Sequence, residues 1–242
     1  MGDVTKPDVA VAAHDVRKQY FRKGATSARY FDAVPRMSLE LRCGELVEVA
    51  GRSGGGKTTL LSMMAGLLAP TEGVVLVDGK DLYALPDAQR SRLRNRRFGV
   101  VPQGQTPLMD LTVLQNVCLP ARLYGMRGAD VQGSAGGAGD VEERALELLG
   151  RMGVSDLAQS YPAELSGGEL RRMAIARALV CKPDVVFADE PTGDLDDHNT
   201  QIVLQVLRDT ADGGAAVMLV THEQSAVAYA DRMVRMEPGE SA

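Results

Sequence analysis

The stretch Gly51-Arg52-Ser53-Gly54-Gly55-Gly56-Lys57-Thr58 has the spacing GxxxxGK[ST], and its residue types suit a phosphate. Glycines let the backbone curl until successive N–H groups face one anion, and side chains there would block the approach. A helix opening at Lys57 adds its partly positive N-terminus. Gly51, Ser53, Gly54, Gly55 and Gly56 are then expected to form the cradle, and Lys57 can bridge the β- and γ-phosphates. Thr58 can hold Mg²⁺ through its hydroxyl, and Thr59 is placed to reach the α-phosphate. Alone, this loop says only that a nucleotide binds.

A second chemical signal is Val185-Val186-Phe187-Ala188-Asp189-Glu190, an apolar run ending in two acids. An acid at the end of a central strand lies at the carboxyl edge of a parallel sheet, where the phosphate loop also lies. Asp189 is therefore expected on the Mg²⁺ side. Glu190, the next residue, points elsewhere and is suited to orient and deprotonate an attacking water.

The elements that must position these groups alternate. Leu46 to Ala50 reads as a strand entering the loop, and Lys57 to Leu68 as the helix leaving it. Val74 to Val77 is predicted as a strand closed by an Asp78-Gly79 turn. Pro86-Asp87 opens a charged helix, followed by a strand at Phe98 to Val101. Arg90 to Arg97 is rich in arginine and reads as a solvated helix face rather than a nucleic-acid surface. From Gly104 to about Pro162 helices are expected, at Thr112–Leu123 and Val141–Met152, joined by the glycine-rich segment Gly133–Gly139. Beyond it come a helix from about Glu169 to Cys181, the strand of the acidic pair, a helix from about Asp196 to Thr210, and a strand at Ala216–Val220. This rhythm implies a mainly parallel sheet covered on both faces.

Leu165-Ser166-Gly167-Gly168-Glu169 resembles the signature of the ABC ATPases, with Glu where Gln is common. Ser-Gly-Gly opening a helix is physically a second anion site. In that family the signature of one subunit covers the γ-phosphate held by the phosphate loop of another. The resemblance thus implies a head-to-tail dimer around two ATP, with Ser166, Gly167 and Gly168 acting in trans. Val101-Pro102-Gln103 resembles the Q-loop, which implies that Gln103 contacts Mg²⁺ and the attacking water. Thr192 to Asp196 resembles the D-loop, with Asp196 crossing the dimer interface. Val220-Thr221-His222 resembles the switch region, with His222 on the γ-phosphate. Tyr20 resembles the aromatic that stacks on adenine, with Tyr30 and Phe31 as rivals.

The resemblance spans about Val9 to Pro238. It implies a P-loop NTPase core at 9–103 and 163–238, an N-terminal antiparallel β portion, and an inserted α-helical subdomain at 104–162. Asn116–Ala121 and Ala188–Asp196 look most like the branch containing macrolide exporters, lipoprotein-releasing ATPases, haem and antimicrobial-peptide efflux ATPases, and the FtsE cell-division ATPase. In this family the inserted helices dock the coupling helix of a transmembrane permease, so export or mechanotransmission from the cytoplasmic face of the membrane is implied. A purely regulatory ATPase of the FtsE kind is the alternative. Soluble ABC ATPases usually show paired cassettes, zinc modules or long coiled coils, and none is evident. One departure is Gly55 within Ser53-Gly54-Gly55-Gly56, which is expected to loosen the loop slightly.

Composition agrees. A 242-residue chain that is 45% hydrophobic suits one sizeable α/β domain. Its net charge of −5 argues against a dedicated nucleic-acid surface. Cys43, Cys118 and Cys181 are widely spaced, which suggests neither a disulfide framework nor a zinc site and points to a reducing compartment. The first residues lack the apolar core of a signal peptide. Leu60 to Ala69 is too short for a bilayer span, which needs about 20 residues.

Overall fold

The computed structural model describes residues 8–23, 28–104, 106–123 and 138–236. Most of the glycine-rich connection expected near 133–139 lies outside them, as does Pro238. Two sheets form. One is antiparallel, ordered β2-β1-β4-β5, from β1 (Val9–Lys23), β2 (Ala28–Arg42), β4 (Glu72–Val77) and β5 (Lys80–Asp81). The other is parallel, ordered β6-β7-β8-β3-β9, from β3 (Leu46–Gly51), β6 (Phe98–Val101), β7 (Val185–Asp189), β8 (Ala216–Val220) and β9 (Arg232–Met236). The helices are α1 (Lys57–Met64), α2 (Asp87–Arg97), α3 (Val113–Leu123), α4 (Ala138–Arg151), α5 (Gly167–Leu179) and α6 (Asp197–Asp212).

The central strands are apolar on both sides because both sides are covered. Val186, Ala188, Val217 and Leu219 face one core, shared with α3, α4, α5 and α6. Val185, Phe187, Met218 and Val220 face another, shared with α1 and the antiparallel sheet. Alternation along each strand thus sends successive residues into different cores. Phe98 meets Phe187 edge-on in the second of these, with ring centroids 5.3 Å apart.

Most predicted elements stand within a few residues of their expected bounds. The helix after the phosphate loop stops at Met64 rather than Leu68. Gly66 is left-handed at φ +71°, and a Cβ there would meet Leu82 Cδ2 at 2.9 Å, so the chain turns where a helix would need a side chain. The signature helix begins at Gly167, two residues earlier than expected, because Ser166 caps it. The arginine-rich helix α2 is less solvated than expected. Arg94 donates to Gly66 O at 2.9 Å, and Arg97 pairs with the buried Asp184 at 2.7 Å and with Asp78. Arg92 and Arg96 remain exposed. These contacts dock α2 onto the core. Among the described residues no helix is long and apolar enough to cross a membrane.

Candidate active site at the carboxyl edge of the parallel sheet

Strand order decides what meets. β3 lies beside β8 and β8 beside β7, all parallel, with Val49 opposite Val220 and Val220 opposite Asp189. The segments leaving these strands carry the phosphate loop, His222 and the acidic pair. β6 lies on the far side of β7, with Val101 opposite Ala188, which delivers Gln103 to the same edge. One cavity of about 480 Å³ results, lined by Ser53 to Thr59, Gln103, Asp189, Glu190, Val220 and His222, with Phe31, Asp32 and Ala33 from β2 on the opposite wall.

The loop owes its shape to glycine. Gly56 caps α1 at φ +86°, and a Cβ there would stand 1.9 Å from Ala33 O. Gly54, at φ +77°, has open space around its missing side chain. Gly55, expected to loosen the loop slightly, closes a tight turn. Its N–H donates to Arg52 O at 3.0 Å, and a Cβ at that position would approach the same oxygen to 2.9 Å. Gly51 lies outside the cavity lining, but its carbonyl holds the lysine.

Lys57 is 6% exposed. Its Nζ donates to Gly51 O at 2.9 Å and Arg52 O at 3.1 Å, and stands 3.3 Å from His222 Nε2. His222 Nε2 is in turn 3.4 Å from Glu190 Oε1, and the His222 N–H donates to Glu190 Oε2 at 3.3 Å. Glu190 sits in the left-handed region at φ +49°. A non-glycine residue held there is strained, and such strain concentrates at functional positions. In this turn the Glu190 carboxylate lies beside His222.

Asp189 differs from its neighbour. It is 2% exposed, and burial pushes its carboxyl up, against the downward pull of a Thr58 hydrogen bond and the Lys57 charge. Its Oδ1 is buried with no hydrogen-bond partner among the described residues. An orphaned carboxylate oxygen beside the Thr58 hydroxyl, with the Gln103 amide in the same cavity, is an all-oxygen donor set that fits Mg²⁺.

The remaining predicted residues stand apart from this cavity. Tyr20 pairs across the strands with Phe31, ring centroids 6.0 Å apart, but it is Phe31 that lines the wall. Tyr30 pairs with Phe21 on the other face of the hairpin, at 5.2 Å. Ser166, Gly167, Gly168 and Asp196 are also outside the cavity lining. They neighbour one another, since a Cβ on Gly168 would lie 3.1 Å from Leu195 Cδ2. Asp196 caps α6, its carboxylate accepting from the Asn199 N–H at 2.8 Å.

Sequence reasoning missed Arg171. This α5 side chain is 5% exposed and donates to Pro102 O at 3.2 Å and Gln103 O at 2.7 Å. Arg177 adds a bond to Thr106 O at 2.9 Å. The helix that Ser166 caps therefore grips the segment that carries Gln103. A signal was present, namely two arginines six residues apart on one helix, but nothing in the sequence named their acceptors.

A family model described as ABC transporter matches residues 34–193. The lipoprotein-releasing system ATP-binding protein LolD of Pseudomonas syringae pv. tomato is 41% identical over 204 residues, 84% of this chain and 86% of that one. The macrolide export ATP-binding/permease protein MacB of Syntrophobacter fumaroxidans is 38% identical over 230 residues, 95% of this chain but 30% of the larger protein. Among solved structures, a dimeric post-hydrolysis state of the ATP-binding cassette MJ0796 bound to ADP and Pi superposes with a TM-score of 0.83. It is 32% identical, with 96% of each chain covered.

Proposed function

Since the chain belongs to the ABC transporter family, we propose that it is the ATP-hydrolysing subunit of a transporter, closing head-to-tail with a second copy around two ATP molecules beneath a separate permease. The observation that carries this reading is the single cavity in which the phosphate loop, Gln103, Asp189, Glu190 and His222 converge. That Ser166–Gly168 and Asp196 stand outside it supports their acting on the nucleotide of the partner subunit. Residues 9–103 and 163–238 are read as the nucleotide-binding core and 104–162 as the helical insertion.

In the proposed mechanism, water attacks the γ-phosphorus in line with the β–γ bridging oxygen, whose bond to that phosphorus breaks to release ADP and phosphate. Glu190 takes the water's proton, and His222, already within reach of Glu190 and Lys57, contacts the γ-phosphate. Lys57 exchanges the carbonyls of Gly51 and Arg52 for phosphate oxygens, so its charge meets the charge that develops in the transition state. Thr58, Gln103 and Asp189 would hold Mg²⁺, whose chemistry there is neutralisation of phosphate charge. Adenine is assigned to the Tyr20–Phe31 pair. Because γ-phosphate bound from both subunits favours the closed dimer, hydrolysis removes the contact that holds it shut.

The permease is assigned to a groove of about 320 Å³ between α2, β6, α3 and α5, lined by Leu67, Phe98, Pro120 and Leu123 with Arg94 and Arg177. Leu67 and Leu123, 56% and 65% exposed, suit an apolar helix end from a membrane partner. On this reading the chain works at the cytoplasmic face of a membrane. The relatives named for lipoprotein release and macrolide export support a role in export or mechanotransmission.

The test is Glu190→Gln. Loss of a general base costs roughly 10²- to 10⁴-fold in turnover, and the variant should accumulate an ATP-bound dimer on size-exclusion chromatography. Normal turnover in the variant sinks the base assignment.

A further inference from the structure

The Ser166–Gly168 turn is not a neutral anion site, because the residue that completes its cap is an acid. Ser166 is the N-cap of α5, and Glu169 closes a capping box with it. Glu169 Oε2 accepts 2.7 Å hydrogen bonds from both the Ser166 N–H and the Ser166 hydroxyl, while Ser166 Oγ accepts from the Glu169 N–H at 3.4 Å. The one hydroxyl proton of Ser166 is therefore committed to Glu169. The Ser166 hydrogen bond holds the Glu169 carboxyl below the usual range, so it is an anion at neutral pH. It lies in the first turn of α5, on the partial positive charge that an incoming phosphate would use.

Resting on the reading that Ser166–Gly168 of one subunit covers the γ-phosphate bound by the other, we infer that Glu169 is a positioning residue that opposes closure. It holds the Ser166 hydroxyl turned inward and sets a negative charge beside the approaching triphosphate. The ATP-bound dimer is thus weaker than the same fold would form with a neutral side chain at 169. Glutamine keeps an acceptor for the Ser166 N–H and removes only the charge, so Glu169→Gln separates the two effects.

A charge in the first turn of a helix changes anion affinity by roughly fivefold. Two copies face two ATP molecules in the closed dimer, so the dimer dissociation constant should change by roughly 25-fold. The isolated subunit should respond in the opposite direction, because a carboxylate near a helix N-terminus stabilises the helix. Glu169→Gln is therefore expected to lower the unfolding midpoint of the monomer slightly while tightening its dimer, a pairing that a purely structural role of Glu169 does not produce.

The experiment compares the full chain carrying Glu190→Gln with the same chain carrying Glu169→Gln as well, by sedimentation equilibrium in Mg²⁺ and ATP. The double variant should dimerise roughly 25-fold more tightly at about 50 mM salt, with a smaller gap at about 500 mM, where a charge effect is screened. In the hydrolysing background KM for ATP should fall while kcat holds. A dimer that Glu169→Gln leaves unchanged or weakens overturns the inference. Ser166→Ala locates the fault. If that variant dimerises as tightly as its Glu190→Gln parent, the trans reading itself fails and takes the inference with it.

Discussion

Replacing Gly56 by alanine tests whether the nucleotide cavity depends on contact between the phosphate loop and β2, and Gly54→Ala supplies the matched control. Both glycines are left-handed, at φ +86° and +77°. An L-residue in that region costs roughly 1–2 kcal/mol, so both variants bear this penalty. They differ in space. A Cβ at Gly54 meets nothing within 4 Å, whereas one at Gly56 would stand 1.9 Å from Ala33 O and 3.2 Å from Val34 Cγ2. An ordinary carbon–oxygen contact needs more than 3 Å, so β2 must retreat by over about 1 Å in a close-packed interior, at a further cost of roughly 2–3 kcal/mol. At roughly 2–4 °C per kcal/mol for a chain of this size, Gly54→Ala lowers the unfolding temperature by only a few degrees and Gly56→Ala by roughly 10 °C. Because Phe31, Asp32 and Ala33 line the cavity, the retreat of β2 should also weaken binding of a fluorescent ATP analogue in Gly56→Ala far more than in Gly54→Ala. Calorimetry and fluorescence titration read both effects. Equal midpoints for the two variants would refute the claim that contact with Ala33 shapes the loop.

Two further perturbations follow from side chains that the sequence left unmarked. Arg171→Met removes the hydrogen bonds to Pro102 O and Gln103 O; kcat should drop roughly tenfold with nucleotide affinity nearly intact, consistent with losing about 1.4 kcal/mol of positioning. Steady-state kinetics beside equilibrium binding checks it, and an unchanged kcat removes Arg171 from the coupling of α5 to Gln103. Glu48, 3% exposed on β3, has an Oε2 without a hydrogen-bond partner among the described residues, and burial pushes its carboxyl up. Glu48→Leu should therefore raise the unfolding temperature at pH 8, by roughly 2–4 °C. A raised folded-state pKa means that the wild-type chain loses stability as pH rises through that pKa and regains it on acidification, so the gap should narrow towards pH 5. A gap that is constant or widens with acid would show that the Glu48 charge is not the cause.

The phosphate loop, the acidic pair and the capped turn at Ser166 were legible because each is a short run whose backbone chemistry is local. Glycines at fixed offsets, two acids ending an apolar strand, and serine before a helix mean much the same wherever they occur. The parallel strands were legible for a related reason, since continuous apolar runs survive only where both faces are buried. The long hairpin β1–β2 was expected only through family resemblance. Its alternation is interrupted by register shifts between Ala13 and Gln19, by left-handed Asp15 and by Pro35, so no period-2 pattern survives to be read.

What the sequence alone determined was which groups are available: a glycine loop ending in Lys57 and Thr58, two acids closing an apolar strand, and a serine-glycine turn opening a helix. Tertiary structure alone decided how those groups combine. The order β6-β7-β8-β3 gathers Gln103, Glu190, His222 and Lys57 from four separate segments into one cavity. Packing of β2 on the loop brings Ala33 O against Gly56 and sets Phe31, rather than Tyr20, on the wall. Arg171 reaches Gln103 O across 68 residues of chain. Such contacts join distant segments, and neither partner's local sequence encodes them. They form only when burial of the two cores brings the segments together.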